Sequence, residues 1–354
     1  MKPPAHVESE QLMPRASAGR LRALRGVLVV NPSRPGAREA ASRAAAICLR
    51  HLDDVECLKT GAPGDAVDLV AGAVATAWAD GKTLDVGVVV GGDGTVREAA
   101  EGLARGLGRW PGGDASAAGH RCADRGGSAP ALAIVPAGRG NSAYRALWGD
   151  ADWPEALARG LSGDRARVRA VDLLRVVEHD RATVLGANTG LIARIAAITA
   201  TLPADAGEDR YWGAAAQVLG DLEHDPGRVV LDGETVLEGP LALVTIGGVR
   251  RFGGGAFELL PRSCLDDGLL DVCAVGQLDQ AAVQELSAVV TSGGHLGHPA
   301  VRYATGRRAT VERTDGRPLA FEHDGDVWDV GASVTLEVVP AACPLLAPQA
   351  PPGP

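Results

Sequence analysis

The residues best suited to chemistry lie in a glycine-rich stretch that contains a single acid. Residues 88–104, VVVGGDGTVREAAEGLA, place three valines before GGDGT and a helical pattern after it. Glycines at a strand end let the backbone approach a ligand, and the free N–H groups of the following helix favour a phosphate. Asp93 would repel that phosphate unless a Mg²⁺ ion lies between them or the carboxylate acts as a base toward an acceptor hydroxyl. The alternative is a tight turn in which Asp93 caps the helix.

Three further apolar runs end in polar loops and alternate with helical patterns. They are GVLVVNP (26–32), DVECLKT (54–60) and ALAIVP (131–136), the last followed by AGRGN. Continuous apolar strands between helices indicate a parallel sheet that is covered on both faces. Open sheets of this kind bind ligands beyond the carboxyl ends of their strands. Neither the P-loop pattern GxxxxGK[ST] nor a GxGxxG after a strand occurs, so those two phosphate-binding fingerprints are excluded.

From about residue 166 the pattern changes to short runs rich in Val, Leu and Thr, many bounded by Gly or Asp. This spacing predicts a mostly antiparallel second domain, a sandwich or an open barrel. The predicted fold is a doubly wound α/β domain followed by a β-sandwich domain. The expected divisions are a flexible N-terminus (1–22), the α/β nucleotide-binding domain (23–165), the sandwich (166–340) and a loose proline-rich tail (341–354).

Composition narrows the class of protein. The 354 residues are 46% hydrophobic and 22% charged, which is typical of a folded protein of one or two domains. A net charge of -9 with a pI of about 5.4 argues against a nucleic-acid surface. The six cysteines form no CxxC pair, which is typical of reduced thiols in a cytosolic protein. No run approaches the ~20 apolar residues that a membrane-spanning helix needs.

Taken together, the motifs resemble those of the diacylglycerol kinase, sphingosine kinase and NAD kinase superfamily. GGDGTVREAAEGL is similar to its nucleotide-binding motif, and VVNPSRPGA to the asparagine-proline loop of bacterial diacylglycerol-kinase-like lipid kinases. KTGAPGDAVDLV resembles their second strand, and VPAGRGNSAYRALWG resembles their Pro-x-Gly-Thr-x-Asn segment. LDDGLLDVCAV and HDGDVW look like their Asp-Asp-Gly-x-Leu-Asp and Asp-Gly-Glu elements. The six matches run in family order from residue 27 to about 346.

The resemblance implies a two-domain kinase that binds ATP and Mg²⁺ in the cleft between its domains. Its Mg²⁺ site would map to the Asp267 side chain and the backbone oxygens of Cys264 and Leu269. The family's proposed general base corresponds to Asp326, and Asp93 is the second catalytic candidate. The residues that would contact ATP are Asn31, Pro32, Ser33, Arg34, Pro35, Thr60, Gly92, Asp93, Gly94, Thr95, Val96, Arg97, Glu98 and Arg139.

Several of these residues have a simpler explanation. Thr60 would cap the helix that follows it, and the Asp267-Gly268 pair would be only a turn. Asp324 and Gly325 form a favoured hairpin dipeptide, so Asp326 would be an ordinary strand surface residue.

Four features depart from the family pattern. Gly36 of the NPSRPG loop comes one place later than the pattern expects. Arg139 stands where the family has a threonine, and an arginine there would bind phosphate strongly. Asp326 is one methylene shorter than the family's glutamate. Arg194 occupies the position at which sphingosine kinases carry an acid for the lipid amine.

The expected activity is phosphoryl transfer from ATP to a hydroxyl of diacylglycerol or a related lipid. An NAD kinase and a nucleotide-binding protein without catalysis are the alternatives. The expected partner is a lipid substrate at the membrane surface, with transient peripheral contact and no nucleic acid, and a homodimer is left open. Arg250 and Arg251 with Phe252, and the pair Arg307-Arg308, are the local basic features that could meet anionic headgroups. The expected location is cytoplasmic, peripheral at the inner face of the membrane.

Overall fold

Four parallel strands in the order β2-β1-β3-β4 form the N-terminal half of the computed structural model. The structure describes residues 24–80, 82, 84–112, 129–163, 166–202, 209–253 and 255–349. The strands are β1 (Arg25–Val30), β2 (Asp54–Lys59), β3 (Val86–Gly91) and β4 (Ala131–Pro136). The helices are α1 (Ala37–Cys48), α2 (Asp65–Ala79), α3 (Asp93–Gly106), α4 (Ser142–Trp148) and α5 (Trp153–Ser162).

Both faces of this sheet are covered by helices. All six residues of β3 are buried, which is why the sequence shows a continuous apolar run and not an alternating one. Val27 and Val89 pack with α2 and α3 on one face, and Leu28 and Val88 pack with α1 and α5 on the other. Helices α2 and α3 cross closely at Gly102, where a Cβ atom would lie 2.4 Å from the carbonyl oxygen of Val67. The doubly wound arrangement that the sequence predicts is therefore present.

The second half contains mostly antiparallel strands and three helices. The second sheet has six strands in the order β12-β11-β10-β7-β14-β15. Its inner face packs on the antiparallel part of the first sheet through residues such as Ile246, Phe321 and Leu336. The elements are β5 (Ala166–Val176), β6 (Arg181–Thr183), β7 (Gly186–Gly190), α6 (Leu191–Thr201), α7 (Asp209–Gly220), β8 (Asp225–Leu231), β9 (Glu234–Leu241), β10 (Leu243–Gly247), β11 (Leu270–Val275), α8 (Gln280–Val289), β12 (Val301–Gly306), β13 (Arg308–Arg313), β14 (Phe321–His323), β15 (Asp326–Val327) and β16 (Ser333–Pro348).

Strand β16 joins the two halves. It pairs with β13 and β5 in the sandwich, and Leu345 lies opposite Leu132 of β4 in parallel register. The expectation of a loose tail after Pro340 is therefore wrong as far as residue 349. Prolines favour a loop in a sequence pattern, but Cys343 and Leu345 between them are buried. The register between β16 and β5 shifts at a bulge between Val339 and Cys343.

Two further expectations concern the chain ends and membrane-spanning helices. The predicted flexible N-terminus, residues 1–22, and the last residues, 350–354, lie outside the described residues. In the part of the chain that the structure describes, every helix is too short or too polar to cross a membrane.

Candidate active site

Three of the polar strand ends meet at one edge of the parallel sheet. The loops after β3 and β4 touch backbone to backbone, because a Cβ atom on Gly138 would lie 2.5 Å from the Cα atom of Gly92. The loop after β1 joins them through the Asn31 amide, which donates a hydrogen bond of 3.0 Å to the Thr95 hydroxyl. The GGDGT stretch therefore lies between its two neighbouring loops, as the parallel order predicts.

The carboxylate of Asp93 binds the start of a neighbouring helix, α4. It is the first residue of α3, with Gly92 as the N-cap. Its side chain leaves α3 and accepts a 3.0 Å hydrogen bond from the N–H of Ala143 in α4. Asp93 therefore caps α4 and not its own helix, which corrects the simple N-cap alternative. Burial raises the pKa of the Asp93 carboxyl above its ordinary value, and the amide N–H groups of residues 141–143 oppose that shift.

Asp326 faces the glycine stretch from the second domain. Its Oδ2 atom accepts a 3.1 Å hydrogen bond from Nη1 of Arg97, and it lies 3.8 Å from the position of a Cβ atom on Gly94. The Arg97 side chain is 9% exposed, whereas that of Asp326 is 57% exposed. One carboxylate of the sandwich domain therefore stands in the cleft opposite GGDGT, within reach of solvent and of a bound molecule.

The turn before Asp326 is a tight hairpin. Asp324 and Gly325 have φ values of 49° and 88°, in the left-handed region that such turns require. The hairpin alternative is thus correct for this dipeptide, and it places Asp326 at the start of β15. The Asp324 carboxylate accepts hydrogen bonds from the Thr183 hydroxyl at 2.7 Å and from the Leu185 N–H at 2.8 Å. Burial raises the pKa of Asp324, and Arg97 is the main opposing influence.

A buried acid that the sequence analysis did not single out supports the same turn. Glu322 is 5% exposed, and its Oε2 atom accepts a 2.9 Å hydrogen bond from the N–H of Gly325. Its Oε1 atom accepts from the Asn188 amide, whose own oxygen accepts from the Thr245 hydroxyl at 2.6 Å. Burial raises the pKa of Glu322 to about 7. The available signal was an acid inside a short apolar strand, two residues before the Asp-Gly pair.

Two further residues that the sequence predicts to contact ATP are Thr60 and Arg139. The Thr60 N–H bonds to the Val30 carbonyl oxygen at 3.0 Å. Thr60 does not cap α2, because that helix begins at Asp65 after Gly64 and has no side-chain cap. Arg139 is exposed at the end of β4, and its guanidinium contacts no charged or polar partner among the described residues.

The predicted metal residues lie in a separate loop. Gly268 has a φ of 74°, and the Asp267 carboxylate accepts a 3.0 Å hydrogen bond from the Leu269 N–H, so this stretch is a turn. Asp172 of β5 fixes the turn by accepting from the Gly268 N–H at 2.7 Å. Across the described ranges, no three His, Cys, Asp or Glu side chains are arranged to hold a metal ion. The assignment of Cys264, Asp267 and Leu269 to a metal stays a prediction.

The guanidinium of Arg194 is paired with two acids of the sandwich domain. Its Nη2 atom lies 2.5 Å from Oδ1 of Asp225, and its Nε atom lies 3.6 Å from Oε2 of Glu223. Asp225 is buried and is also paired with Arg313. Because a buried carboxylate needs charged partners, Arg194 serves to fasten α6 to β8.

A buried charge cluster fastens α3 to the sandwich. Glu101 is 1% exposed and accepts a 2.8 Å hydrogen bond from the N–H of Ala182. It also pairs with Arg105 at 2.9 Å and with Arg181 at 3.2 Å. The helix that follows GGDGT is thus attached to both domains.

Comparison with known proteins agrees with this arrangement. Two family models match, the diacylglycerol kinase catalytic domain over residues 25–176 and the YegS C-terminal NAD kinase beta sandwich-like domain over residues 186–347. A protein of Stenotrophomonas maltophilia (strain K279a), named "probable lipid kinase YegS-like", is 31% identical over 307 residues, covering 82% of this chain and 89% of that protein. The chain belongs to the YegS-like lipid kinase family.

Other members and solved structures extend the comparison. A diacylglycerol kinase of Staphylococcus carnosus (strain TM300) is 24% identical over 234 residues, covering 66% of this chain and 67% of that protein. The crystal structure of a diacylglycerol kinase from Bacillus anthracis str. Sterne superimposes with a TM-score of 0.62 at 17% identity, covering 92% of this chain and 97% of that chain. At this identity the likeness shows the fold alone.

These findings confirm the resemblance and the predicted fold class. Membership in the kinase family makes the protein a phosphotransferase with an alcohol group as acceptor.

Replacing Glu322 by Gln tests its protonation state. A carboxyl whose pKa rises from 4.5 to about 7 on folding binds its proton more tightly in the native state. The contribution of this proton binding to the unfolding free energy is then fully present below pH 4.5. It falls by about 3 kcal/mol as the pH rises to about 7. The difference in unfolding free energy between the wild type and Glu322→Gln, measured by urea titration from pH 4 to pH 8, should show this fall.

The exposed Glu56→Gln variant is the matched control for removing one acid. Parallel stability curves for the wild type and Glu322→Gln would show that Glu322 does not change its charge over this range.

Proposed function

We propose that this protein transfers the terminal phosphoryl group of ATP to a hydroxyl of diacylglycerol or a related lipid. The observation that supports this most is the position of Asp326, which stands across the cleft from GGDGT beside Gly94. Phosphoryl transfer needs a bound triphosphate, neutralisation of its charge and a carboxylate that accepts the hydroxyl proton. The attacking and leaving oxygens must lie roughly in line. The names of the relatives, lipid kinase and diacylglycerol kinase, favour a lipid over NAD as acceptor.

The nucleotide phosphates are proposed to lie on the GGDGT loop. The first N–H groups of the 14-residue helix α3 point out of this loop, and a helix start favours anionic groups. The Asn31–Thr95 hydrogen bond fixes one wall of the loop. Arg139 is exposed in the loop after β4, and its guanidinium would bind a phosphate on the GGDGT loop.

The acceptor hydroxyl is proposed to approach Asp326 from the open side of the cleft. Arg97 binds one oxygen of this carboxylate, so the side chain keeps one orientation although it is exposed. The side chain is 57% exposed, and its second oxygen would take the proton of the attacking hydroxyl. Glu322 and Asp324 hold the hairpin that carries Asp326, and they act as positioning residues.

The acids near the glycine loop fit a divalent cation such as Mg²⁺. Asp93 lies within GGDGT and Asp326 faces it, so phosphates bound at this loop would need positive charge to offset the repulsion. A bound Mg²⁺ would supply that charge neutralisation. Asp267 lies in a turn attached to β5 and suits a cation with a structural role.

The proposed activity is tested by incubating the full chain with labelled ATP, MgCl₂ and separate acceptors. Labelled phosphatidic acid from dioleoylglycerol is the expected product. Sphingosine is expected to react more slowly, because α6 carries no acid and its one charged residue, Arg194, is already paired with Asp225. Labelled NADP from NAD, or nucleotide binding without transfer to any acceptor, would overturn the proposal.

Asp93→Asn should lower turnover by about 100-fold or more, because it removes a charge proposed to act electrostatically at the phosphates, and losing one such contact typically costs this much. The fold should survive, because the asparagine oxygen can still accept the hydrogen bond from Ala143. Asp93→Ala should also lose the cap, which typically costs about 1 kcal/mol. Turnover and melting temperature of both variants check this, and retention of more than about a tenth of the activity by Asp93→Asn contradicts it.

Arg139→Thr should raise the KM for ATP and leave turnover at saturating ATP nearly unchanged. The reason is that Arg139 is proposed to bind phosphate in the ground state and the transition state alike. Arg317→Thr, at an exposed arginine of the sandwich domain, is the matched control. An unchanged KM for ATP in Arg139→Thr would place this side chain outside the nucleotide site.

A further inference from the structure

An exposed tryptophan contacts an aromatic side chain of the loop that carries two exposed arginines. Trp212 of α7 is 56% exposed, and its ring centroid lies 6.4 Å from that of Phe257. The Arg250 and Arg251 side chains are 55% and 52% exposed. We propose that these four residues, the docking rim, bind the surface of an anionic phospholipid bilayer.

The rim is held together by one loop. Phe252 and Phe257 exchange backbone hydrogen bonds of 2.8 and 3.2 Å, which close a tight turn between them. Arg251 donates a 3.3 Å hydrogen bond to the carbonyl oxygen of Gly255 within this turn. The aromatic side chain and the guanidinium groups therefore belong to one continuous surface.

The charge of the rim suits an anionic surface. Glu258 is 7% exposed and pairs with Arg250 at 2.6 Å and with Arg251 at 2.9 Å. Two guanidinium groups share one buried carboxylate, so a positive charge remains on the exposed side. A buried acid also fixes both arginines in place, which lowers the entropy lost when they meet a headgroup.

The aromatic residues suit the interfacial layer of a bilayer. Tryptophan is amphipathic and is enriched at the level of the headgroups. An interfacial protein gains by burying such an exposed indole at the boundary between headgroups and acyl chains. Trp212 makes edge contacts with Tyr211 and Phe257, so it is presented on an aromatic base.

The rim also lies next to the catalytic side of the cleft. A Cβ atom on Gly255 would lie 4.0 Å from Nη1 of Arg145, which belongs to α4. Helix α4 is the helix that Asp93 caps. A bilayer bound at the rim would therefore lie close to GGDGT, where a lipid acceptor has to enter; this inference rests on the proposed lipid kinase function.

The other arginine pair is a weaker candidate. Arg308 pairs with Glu337 on the neighbouring strand. The backbone N–H of Arg307 is bound by the Asp232 carboxylate at 3.0 Å, in the turn between β12 and β13. These contacts give Arg307 and Arg308 a role in the sandwich.

The test is co-sedimentation of the full chain with vesicles of pure phosphatidylcholine and of phosphatidylcholine with phosphatidylglycerol. Wild type should bind the anionic vesicles, and Arg250→Gln/Arg251→Gln should bind them at least about tenfold more weakly. Arg250→Lys/Arg251→Lys keeps the charge and should retain binding. Trp212→Ala should weaken binding by about tenfold as well.

Matched controls come from outside the rim. Arg159→Gln/Arg317→Gln removes the same charge from two exposed, paired arginines, and Leu49→Ala removes an exposed apolar side chain. Both should bind vesicles like wild type. Equal binding by the rim variants would overturn the proposal, and so would a wild-type dimer that Trp212→Ala converts to a monomer, since a second copy would then cover the rim.

Kinetics separate the rim from the chemistry. With a short-chain diacylglycerol dissolved in water, the rim variants should turn over like wild type, whereas their rate on vesicle-embedded diacylglycerol should fall. Loss of rate on both substrates would overturn the docking role. If wild type phosphorylates neither lipid, the proposed function fails, and the vesicle-binding result still decides the rim.

Discussion

The backbone pairing of β16 is the constraint on which the cleft depends. One strand, Ser333–Pro348, forms hydrogen bonds with β13 and β5 of the sandwich and with β4 of the parallel sheet. The two domains are therefore parts of one ten-stranded sheet and not two bodies on a linker. The hairpin β14–β15 belongs to the second sheet, which packs on the antiparallel part of this shared sheet, so the acid of one domain is held opposite the glycines of the other.

The cleft also shows how an exposed carboxylate can be held in one position. Asp326 has only one direct partner, Arg97, and more than half of it faces solvent. Its position comes from supports that are buried, namely Asp324 on the turn after β6 and Glu322 on the N–H of Gly325. Polar groups bond more strongly where water is excluded. The rigid part of the site is thus the buried turn that precedes the group proposed to react.

The sequence was sufficient for features that depend on neighbouring residues. Helix α2, Asp65–Ala79, follows the second strand as the alternation of apolar runs and helical patterns predicts, and the polar strand ends meet because parallel strands end at one edge. Features that depend on distant pairs were missed. The Asp93 cap on Ala143 joins residues 50 positions apart, and Glu322 meets Asn188 across 134 positions. No local pattern reports such contacts, and the prolines of β16 favoured a loop although long-range pairing makes that segment a strand.

Helix α3 belongs to the α/β domain by sequence, but two of its charged side chains are bound by the sandwich. Glu101 is held by the N–H of Ala182 and by two arginines, and one turn earlier Arg97 pairs with Asp326. Moving the lobes apart would leave the buried Glu101 carboxylate paired with Arg105 of its own helix but without Arg181 and the Ala182 N–H, and losing a hydrogen bond to a buried polar group typically costs about 1–3 kcal/mol. The contacts of α3 therefore oppose separation of the two lobes, because the same helix is packed in one domain and charge-paired with the other.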